Sequence, residues 1–282
     1  MFLGYNTNGF AHHRLDDALA IVADLGYEGV ALTPDVNHLD PFAPGRAATL
    51  DQLAARLRQL NLTCVIETGA RFLLDPRRKH QPTLLSAEIQ EREQRLAFLL
   101  DCVEVANHLG SDIVSFWSGT AIDNAAPEVL MQRLVYGCQV LADAAAKAQV
   151  RLAFEPEPGM FIDTMAQFAE LHQRVGRPNF GLTMDIGHLV CQGELPVSEH
   201  LIRWKDWLWN VHIEDMRRGV HDHILFGEGE VDFADVFNGL QSAGYDGGVY
   251  VELSRHSHDA VNTARKSLEF LQPRLPVKGG LR

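Results

Sequence analysis

The sequence of 282 residues contains no apolar run of about 18 residues, the length that a membrane-spanning helix needs. Its N-terminus, MFLGYNTNGF, lacks the basic start and apolar stretch of a signal peptide, which favours a cytoplasmic protein. The four cysteines form no CxxC pair and are predicted to be reduced interior residues. Positive charge is also scarce, and a formal net charge of −12 argues against binding to a nucleic-acid backbone.

The sequence also lacks the features that divide a chain into separate units. It has no linker, no shift in composition and no low-complexity segment, so we expect a single domain over residues 1–282. The turn after the first predicted strand, NTNGFAHHR, has no phosphate-cradling glycine pattern. That absence argues against the main competing fold, a doubly wound dinucleotide-binding sheet.

What the sequence does contain is a regular alternation of two kinds of segment. Short apolar stretches typical of buried strands alternate with longer stretches of helical periodicity. Strand-then-helix alternation implies parallel strands, and eight such units in about 250 residues predict an α/β fold, a (β/α)₈ TIM barrel. The strands are predicted at residues 2–6, 29–33, 63–67, 112–116, 151–155, 180–185, 208–213 and 248–253, and the helices at 15–25, 46–60, 86–109, 127–149, 164–175, 197–205, 232–243 and 258–271.

The last four predicted strands each carry a metal-binding type of side chain near the C-terminal end. These side chains are Glu155, Asp185, His212 and Glu252. In a barrel the C-terminal strand ends surround one mouth, where three carboxylates would repel one another unless a cation were shared. Three carboxylates and an imidazole suit Mn²⁺, with Co²⁺, Mg²⁺ or Zn²⁺ possible. The alternative is that each residue pairs separately with a neighbouring Arg or Lys, which four successive strand ends disfavour.

Five segments between Leu152 and Leu253 carry a family resemblance: AFEPEPG, GLTMDIGH, NVHIEDMRRG, GEGEVDF and VYVEL. In this order they resemble the xylose isomerase-like TIM barrels, a superfamily of sugar phosphate isomerases and epimerases that includes relatives of endonuclease IV. The resemblance to its ketose 3-epimerases implies that the four strand-end residues bind one divalent metal ion. It also implies that Glu155 and Glu252 form the acid/base pair, and that His188 and Arg218 contact the substrate.

The chemistry expected of these residues is isomerisation or epimerisation of a small sugar or sugar-derived keto substrate. A metal ion would polarise the ketone and stabilise an enediolate, while two carboxylates remove and return a proton. Three alternatives remain open: a metal-dependent lyase acting on an oxidised glycoside, an endonuclease IV-like phosphodiesterase, and a non-catalytic sugar-binding barrel. The identity of the sugar, its phosphorylation and a possible homo-oligomer are also left open.

Each of the other candidate substrate-binding residues could instead have a purely structural role. The epimerases that the chain resembles carry an acidic residue six positions after the first metal glutamate, where Phe161 stands here. Glu157 is the candidate replacement, although it lies between two prolines of a rigid loop. Glu67, at the end of the third strand, faces either the pocket or Arg71. Trp117 is either an apolar wall for a sugar ring or part of the core.

Two further groups of residues are left with open roles. The loop after the third strand is rich in basic residues, and such a run is either a solvated face or an anchor for an anionic substrate. After the seventh strand, His221 and His223 are interpreted as pocket or loop residues, with metal binding a second possibility. The basic group consists of Arg71, Arg77, Arg78, Lys79 and His80.

Overall fold

A computed structural model describes residues 1–276. Eight parallel strands close into a barrel, which confirms the predicted single-domain α/β fold. The barrel strands are β1 (Phe2–Asn6), β2 (Gly29–Leu32), β3 (Thr63–Glu67), β4 (Ile113–Phe116), β5 (Arg151–Phe154), β6 (Phe180–Asp185), β7 (Leu208–Ile213) and β10 (Gly248–Val251). Between the last two lies an antiparallel hairpin of β8 (Asp215–Arg217) and β9 (Val220–Ile224).

Helices follow the strands and surround the barrel. They are α1 (Leu15–Leu25), α2 (Arg46–Leu60), α3 (Ile89–Leu109), α4 (Pro127–Lys147), α5 (Met165–Val175), α6 (Ile186–Gln192), α7 (Val197–Arg203), α8 (Phe233–Ser242) and α9 (Ala260–Leu271), with short 3₁₀ helices at Thr7–Phe10, Ser254–Asp259 and Gln272–Arg274. In this part of the chain, no helix combines the length and apolarity that crossing a membrane requires.

The order of the strands places the candidate ligands side by side. β5, β6, β7 and β10 are consecutive neighbours in the ring, and β10 then pairs with β1 to close it. In the β6–β7 register Asp185 lies opposite His212, and in the β7–β10 register His212 lies opposite Tyr250. Because all the strands are parallel, their C-terminal ends open on one mouth.

Local sequence signals explain most of the helix boundaries. Thr164 caps α5 with a reciprocal capping box, in which its hydroxyl accepts from the backbone N–H of Gln167. Asp232 caps α8 by accepting from two backbone N–H groups. At the other end, Gly26 and Gly110 stop α1 and α3 in the left-handed conformation that glycine adopts without strain.

The structure differs most from the predicted elements at one hairpin, at the helices α6 and α3, and at the ends of two strands. The hairpin β8–β9 and the helix α6 were not predicted; the hairpin strands are largely polar, and α6 begins directly after β6 without an intervening turn. The helix predicted from residue 86 begins at Ile89, since the Ser86 hydroxyl accepts from the Thr83 backbone N–H instead of capping. The strands β5 and β10 end before Glu155 and Glu252, which therefore lie just beyond the strand ends.

An aromatic cluster joins the barrel to its helical layer near β5 and β6. The ring of Phe168 on α5 is fully buried and stacks on Phe154 and Phe180, at centroid distances of 6.1 and 6.3 Å. Its other face contacts Trp204, at 5.0 Å. Such rings bury a large apolar area, so this cluster fixes the two strands that carry Glu155 and Asp185.

We expect Phe168→Ala to destabilise the protein by about 3–5 kcal/mol, because it removes a buried ring from a packed cluster. The measurement is urea unfolding followed by circular dichroism. Tyr136→Ala is the matched control, since Tyr136 on α4 is 68% exposed and its loss should change stability by less than about 0.5 kcal/mol. Equal stability of the two variants would contradict this account of the core.

Candidate metal centre and active site

Glu155, Asp185, His212 and Glu252 converge at the barrel mouth. One ligand atom from each residue lies within 4.8 Å of the corresponding atoms of the other three. Glu155, Asp185 and His212 are buried, and Glu252 is partly exposed. The strand-end pattern therefore corresponds to a single cluster and not to four separate surface ion pairs.

His212 lies at the centre of this cluster. Its Nδ1 atom is 3.0 Å from Glu155 Oε1 and 3.1 Å from Glu252 Oε2. Burial alone would lower the pKa of His212, but the two adjacent carboxylates raise it above its ordinary value. On the other side of the ring, the Asn210 amide nitrogen lies 3.1 Å from Nε2.

The carboxylates of the cluster differ in their surroundings. Burial raises the pKa of Glu155 to about 8. The pKa of Glu252 is lowered against the effect of burial, because His212 and the Asn8 amide donate hydrogen bonds to its carboxylate. Asp185 also has a lowered pKa, since His188 and His223 outweigh the effect of burial. The same site thus contains one carboxyl that favours its acid form and two that favour the charged form.

The donor set fits a divalent metal ion. Asp185 Oδ1 accepts from the His188 backbone N–H, but no N–H or hydroxyl group of residues 1–276 donates to the buried Oδ2. A buried carboxylate oxygen without a donor is costly unless a cation or an acidic hydrogen reaches it. Three carboxylates with one imidazole form an oxygen-rich set of the kind that Mn²⁺, Mg²⁺, Co²⁺ or Zn²⁺ occupies.

Glu214 is a buried residue of the site that the sequence did not reveal. No N–H or hydroxyl group in the described part of the chain donates to either of its carboxylate oxygens, and Oε2 lies 3.8 Å from His223 Nδ1. Burial, followed by the charge of Asp185, raises its pKa. A Cβ atom on Gly187 would lie 2.0 Å from Glu214 Oε1, so the glycine after β6 is required by this carboxylate. Atoms of Asp185, Glu214 and His223 form a second group that could hold a cation.

Three histidines line the wall beside Asp185. His221 Nε2 lies 3.1 Å from His188 Nε2 and 3.3 Å from His223 Nε2. The Nδ1 atoms of His188 and His223 face the carbonyl oxygens of Pro156 and Glu252, which only accept hydrogen bonds. Each of these two rings is therefore assigned a hydrogen on Nδ1 and a lone pair on Nε2. The histidine group could hold a cation as well.

The remaining candidates are divided between the pocket and the surface. Glu67 is 2% exposed and its Oε2 lies 3.7 Å from His212 Nε2, whereas the Arg71 guanidinium donates to the Ser254 hydroxyl. The alternative pairing of Glu67 with Arg71 is therefore absent from the described structure.

Glu157 also lines the pocket, and burial raises its pKa to about 8. Arg218 lies exposed at the turn between β8 and β9 and is not among the residues that line the pocket.

Trp117 forms part of the pocket wall and is itself held between two side chains. The Arg95 guanidinium lies 4.3 Å from the ring centroid on one side, and the His80 ring is 5.0 Å away. Arg95 is 2% exposed. Trp117 is therefore a packed residue that also lines the pocket, and its role as a wall for a sugar ring stays a prediction. The pocket contains about 960 Å³, including space open to solvent, which is room enough for a sugar.

The chain resembles known proteins in sequence and in fold. A family model described as xylose isomerase-like TIM barrel matches residues 19–274. L-ribulose-5-phosphate 3-epimerase UlaE of Shigella flexneri serotype 5b (strain 8401) is 25% identical over 268 residues, which cover 93% of this chain and 90% of that protein. The chain thus aligns with this relative along nearly its whole length.

Solved structures show the same barrel. D-allulose 3-epimerase from Methylomonas sp. in complex with D-allulose superimposes with a TM-score of 0.79 at 21% identity, covering 97% of each chain. An L-ribulose 3-epimerase superimposes with a TM-score of 0.80 at 19% identity, covering 97% of this chain and 94% of the other. At these identities the structural likeness establishes the shared fold.

After loading with Mn²⁺ and desalting, we expect elemental mass spectrometry to find about one ion per chain. Asp185→Asn should weaken retention because it removes a ligand charge, whereas Asp24→Asn on the exposed face of α1 should not. No retained ion in the wild-type protein would refute the metal centre. More than one ion would show that the Glu214 group or the histidine group is occupied as well.

Metal binding should also release protons, because His212 with its raised pKa and Glu155 with a pKa of about 8 both hold a proton near pH 7. We expect about one to two protons per ion at pH 7, and weaker binding as the pH falls. Titration calorimetry in two buffers of different ionisation enthalpy measures the number of protons released per bound ion. Identical heats in both buffers would contradict this protonation state.

Proposed function

The chain belongs to the xylose isomerase-like TIM-barrel family, and from that premise we propose that it is a divalent-metal-dependent isomerase or epimerase of a small ketose or sugar-derived keto substrate. The observation that carries the proposal is the contact of Glu155 and Glu252 with the same imidazole nitrogen of His212, beside Asp185. One cluster thus supplies ligands for a metal ion and two carboxyl groups for proton transfer. Mn²⁺ is the ion that we propose.

In the proposed reaction the four residues Glu155, Asp185, His212 and Glu252 hold the ion. The bound ion supplies Lewis-acid polarisation of the ketone and stabilises the charge of the enediolate. Glu155 and Glu252 exchange the proton of the adjacent carbon, one as base and the other as acid. Without the ion, the lowered pKa of Glu252 favours its charged form and the raised pKa of Glu155 favours its acid form. Binding of the ion would release the Glu155 proton, so that either carboxylate could then accept a proton.

Other pocket residues are proposed to hold the sugar. His188 lines the pocket, and its assigned Nε2 lone pair suits it to accept a hydrogen bond from a sugar hydroxyl. Glu67 and Glu157 offer carboxyl groups to other hydroxyls, and Trp117 offers an apolar surface to the ring face. Arg218 receives no role, because it lies at the exposed hairpin turn.

The names of the similar proteins support a ketose substrate. L-ribulose 5-phosphate, L-ribulose and D-allulose are all ketoses, and the first carries a phosphate. The shared chemistry is proton exchange at the carbon next to the ketone. The same exchange could also lead to elimination, so product analysis must accompany the assay.

With an active ketose in D₂O, we expect solvent deuterium to appear at the exchanged carbon of substrate or product. The measurement is proton NMR and mass spectrometry of a panel of ketoses and ketose phosphates, using the Mn²⁺-loaded protein. Turnover of every active substrate without deuterium would contradict the proton-transfer mechanism. A cleaved or dehydrated product with no isomer would instead identify a lyase.

Glu155→Gln and Glu252→Gln should each lower kcat by about 10²–10⁴-fold, because each removes one group of the acid/base pair. Both residues are also proposed ligands, so the assays require saturating Mn²⁺ and a measured metal content. Glu104→Gln, an exposed position on α3, is the matched control and should keep full activity. A variant with bound metal and unchanged kcat would remove that glutamate from the proposed pair.

A further inference from the structure

The structure separates the basic residues of the β3–α3 loop into two groups. Arg77 and Arg78 lie outside the pocket, and Arg78 forms ion pairs with Asp75 and Glu91. Arg71, Lys79 and His80 line the pocket on the wall beside Trp117. The loop is therefore neither a uniformly solvated face nor a uniformly basic lid.

Arg71 and Lys79 are cations without an anionic partner in residues 1–276. Arg71 Nη2 donates to the neutral Ser254 hydroxyl at 2.9 Å, and neither side chain forms an ion pair in that part of the chain. The third pocket cation, Arg255, differs from them because it is paired with Asp222. Both side chains are exposed, so a ligand that enters the pocket can reach them.

Two contacts and one backbone conformation hold this wall. The His80 backbone N–H donates to the Arg71 carbonyl oxygen at 2.6 Å, which ties together the two ends of the loop tip. The His80 ring lies against Trp117, and its backbone adopts a left-handed φ of 64°. Such a conformation costs a non-glycine residue about 1 kcal/mol or more and persists only where its surroundings hold it. The loop backbone that carries both cations is thus held in place, and the Arg71 side chain is held by Ser254.

The pocket consequently has charge of opposite sign on two sides. Its floor carries Glu155 and Glu252, whose charge a divalent ion would compensate. Its wall carries Arg71 and Lys79, neither of which forms an ion pair within residues 1–276, and the charge of Lys79 acts on the Glu157 carboxyl. A neutral ketose would occupy the floor and leave the wall cations to water.

We propose that the substrate carries an anionic group, a phosphate monoester or a carboxylate, which Arg71 and Lys79 bind while its keto end lies at Glu155 and Glu252. This inference rests on the proposed isomerase or epimerase function and adds the charge of the substrate to it. A guanidinium and an ammonium group are the side chains that recognise phosphate and carboxylate oxygens. Trp117 lies beside them and would contact the carbon chain between the two ends.

The test compares charged and neutral members of matched pairs on the Mn²⁺-loaded protein. The pairs are L-ribulose with L-ribulose 5-phosphate, D-fructose with D-fructose 6-phosphate, and D-fructose with D-fructuronate, followed by deuterium exchange in D₂O. We expect a charged member to be preferred in kcat/KM by about 10²-fold or more. The phosphate and carboxylate pairs distinguish the two kinds of anion.

Arg71→Gln and Lys79→Gln should each raise KM for the preferred anion by about 10–100-fold and change KM for the neutral sugar of the same pair far less. Arg77→Gln, on the same loop but outside the pocket, is the matched control and should change neither parameter. The preference should also shrink as salt is added, because exposed charges are screened. Equal use of charged and neutral sugars, or equal losses on both in the two variants, would overturn the proposal.

A failure of the underlying function can be told apart from a failure of this inference. If no sugar exchanges deuterium, the isomerase or epimerase assignment is wrong. Calorimetric binding of L-ribulose 5-phosphate and D-fructuronate then still tests whether Arg71 and Lys79 bind an anion. Binding that Arg71→Gln weakens by 10-fold or more would support the anion site by itself. Deuterium exchange with equal kcat/KM for the charged and neutral members of each pair, and an unchanged KM for the charged member in Arg71→Gln, would keep the function and reject the anion site.

Discussion

The main physical constraint on this structure is the repulsion between acidic side chains that are buried together at one end of the barrel. Glu155, Asp185 and Glu252 surround one imidazole, and Glu67 and Glu214 lie against the same group. Burial of a carboxylate is unfavourable, and each added like charge makes it more so. Only a rigid frame can hold such a set in place, and eight hydrogen-bonded strands provide it. The crowded carboxylates raise the pKa of His212. They also leave Asp185 Oδ2 without a hydrogen-bond donor in residues 1–276.

The fold and the principal cluster could be predicted from the sequence because both depend on regular features. Alternating strand and helix patterns located all eight barrel strands within two residues at each end. Since parallel strand ends meet, Glu155, Asp185, His212 and Glu252 could be brought together without coordinates. The side chains that complete the site belong to irregular segments. Glu214 is the single residue between β7 and β8, and no periodic pattern shows that it is buried.

Local backbone geometry also decided which of several similar residues reach the pocket. The sequence places Arg71 and Arg78 on one loop, yet only Arg71 lines the pocket, since Arg78 is held outside by Asp75 and Glu91. Arg218 follows a family motif in sequence but lies at an exposed turn. The net charge of the protein likewise does not predict the charge of a ligand that binds at one local site. A total of −12 describes the protein as a whole, whereas an anionic ligand would meet the field of two nearby cations.

The packing of Trp117 between Arg95 and His80 has an optical consequence. An indole that contacts a guanidinium and an imidazole has its fluorescence set by those two neighbours, and its remaining surface faces the pocket. The other three tryptophans, Trp204, Trp207 and Trp209, are not among the residues that line this pocket. Emission from Trp117 therefore provides an intrinsic reporter on the pocket wall, and it should respond to a bound ligand without any label on the chain.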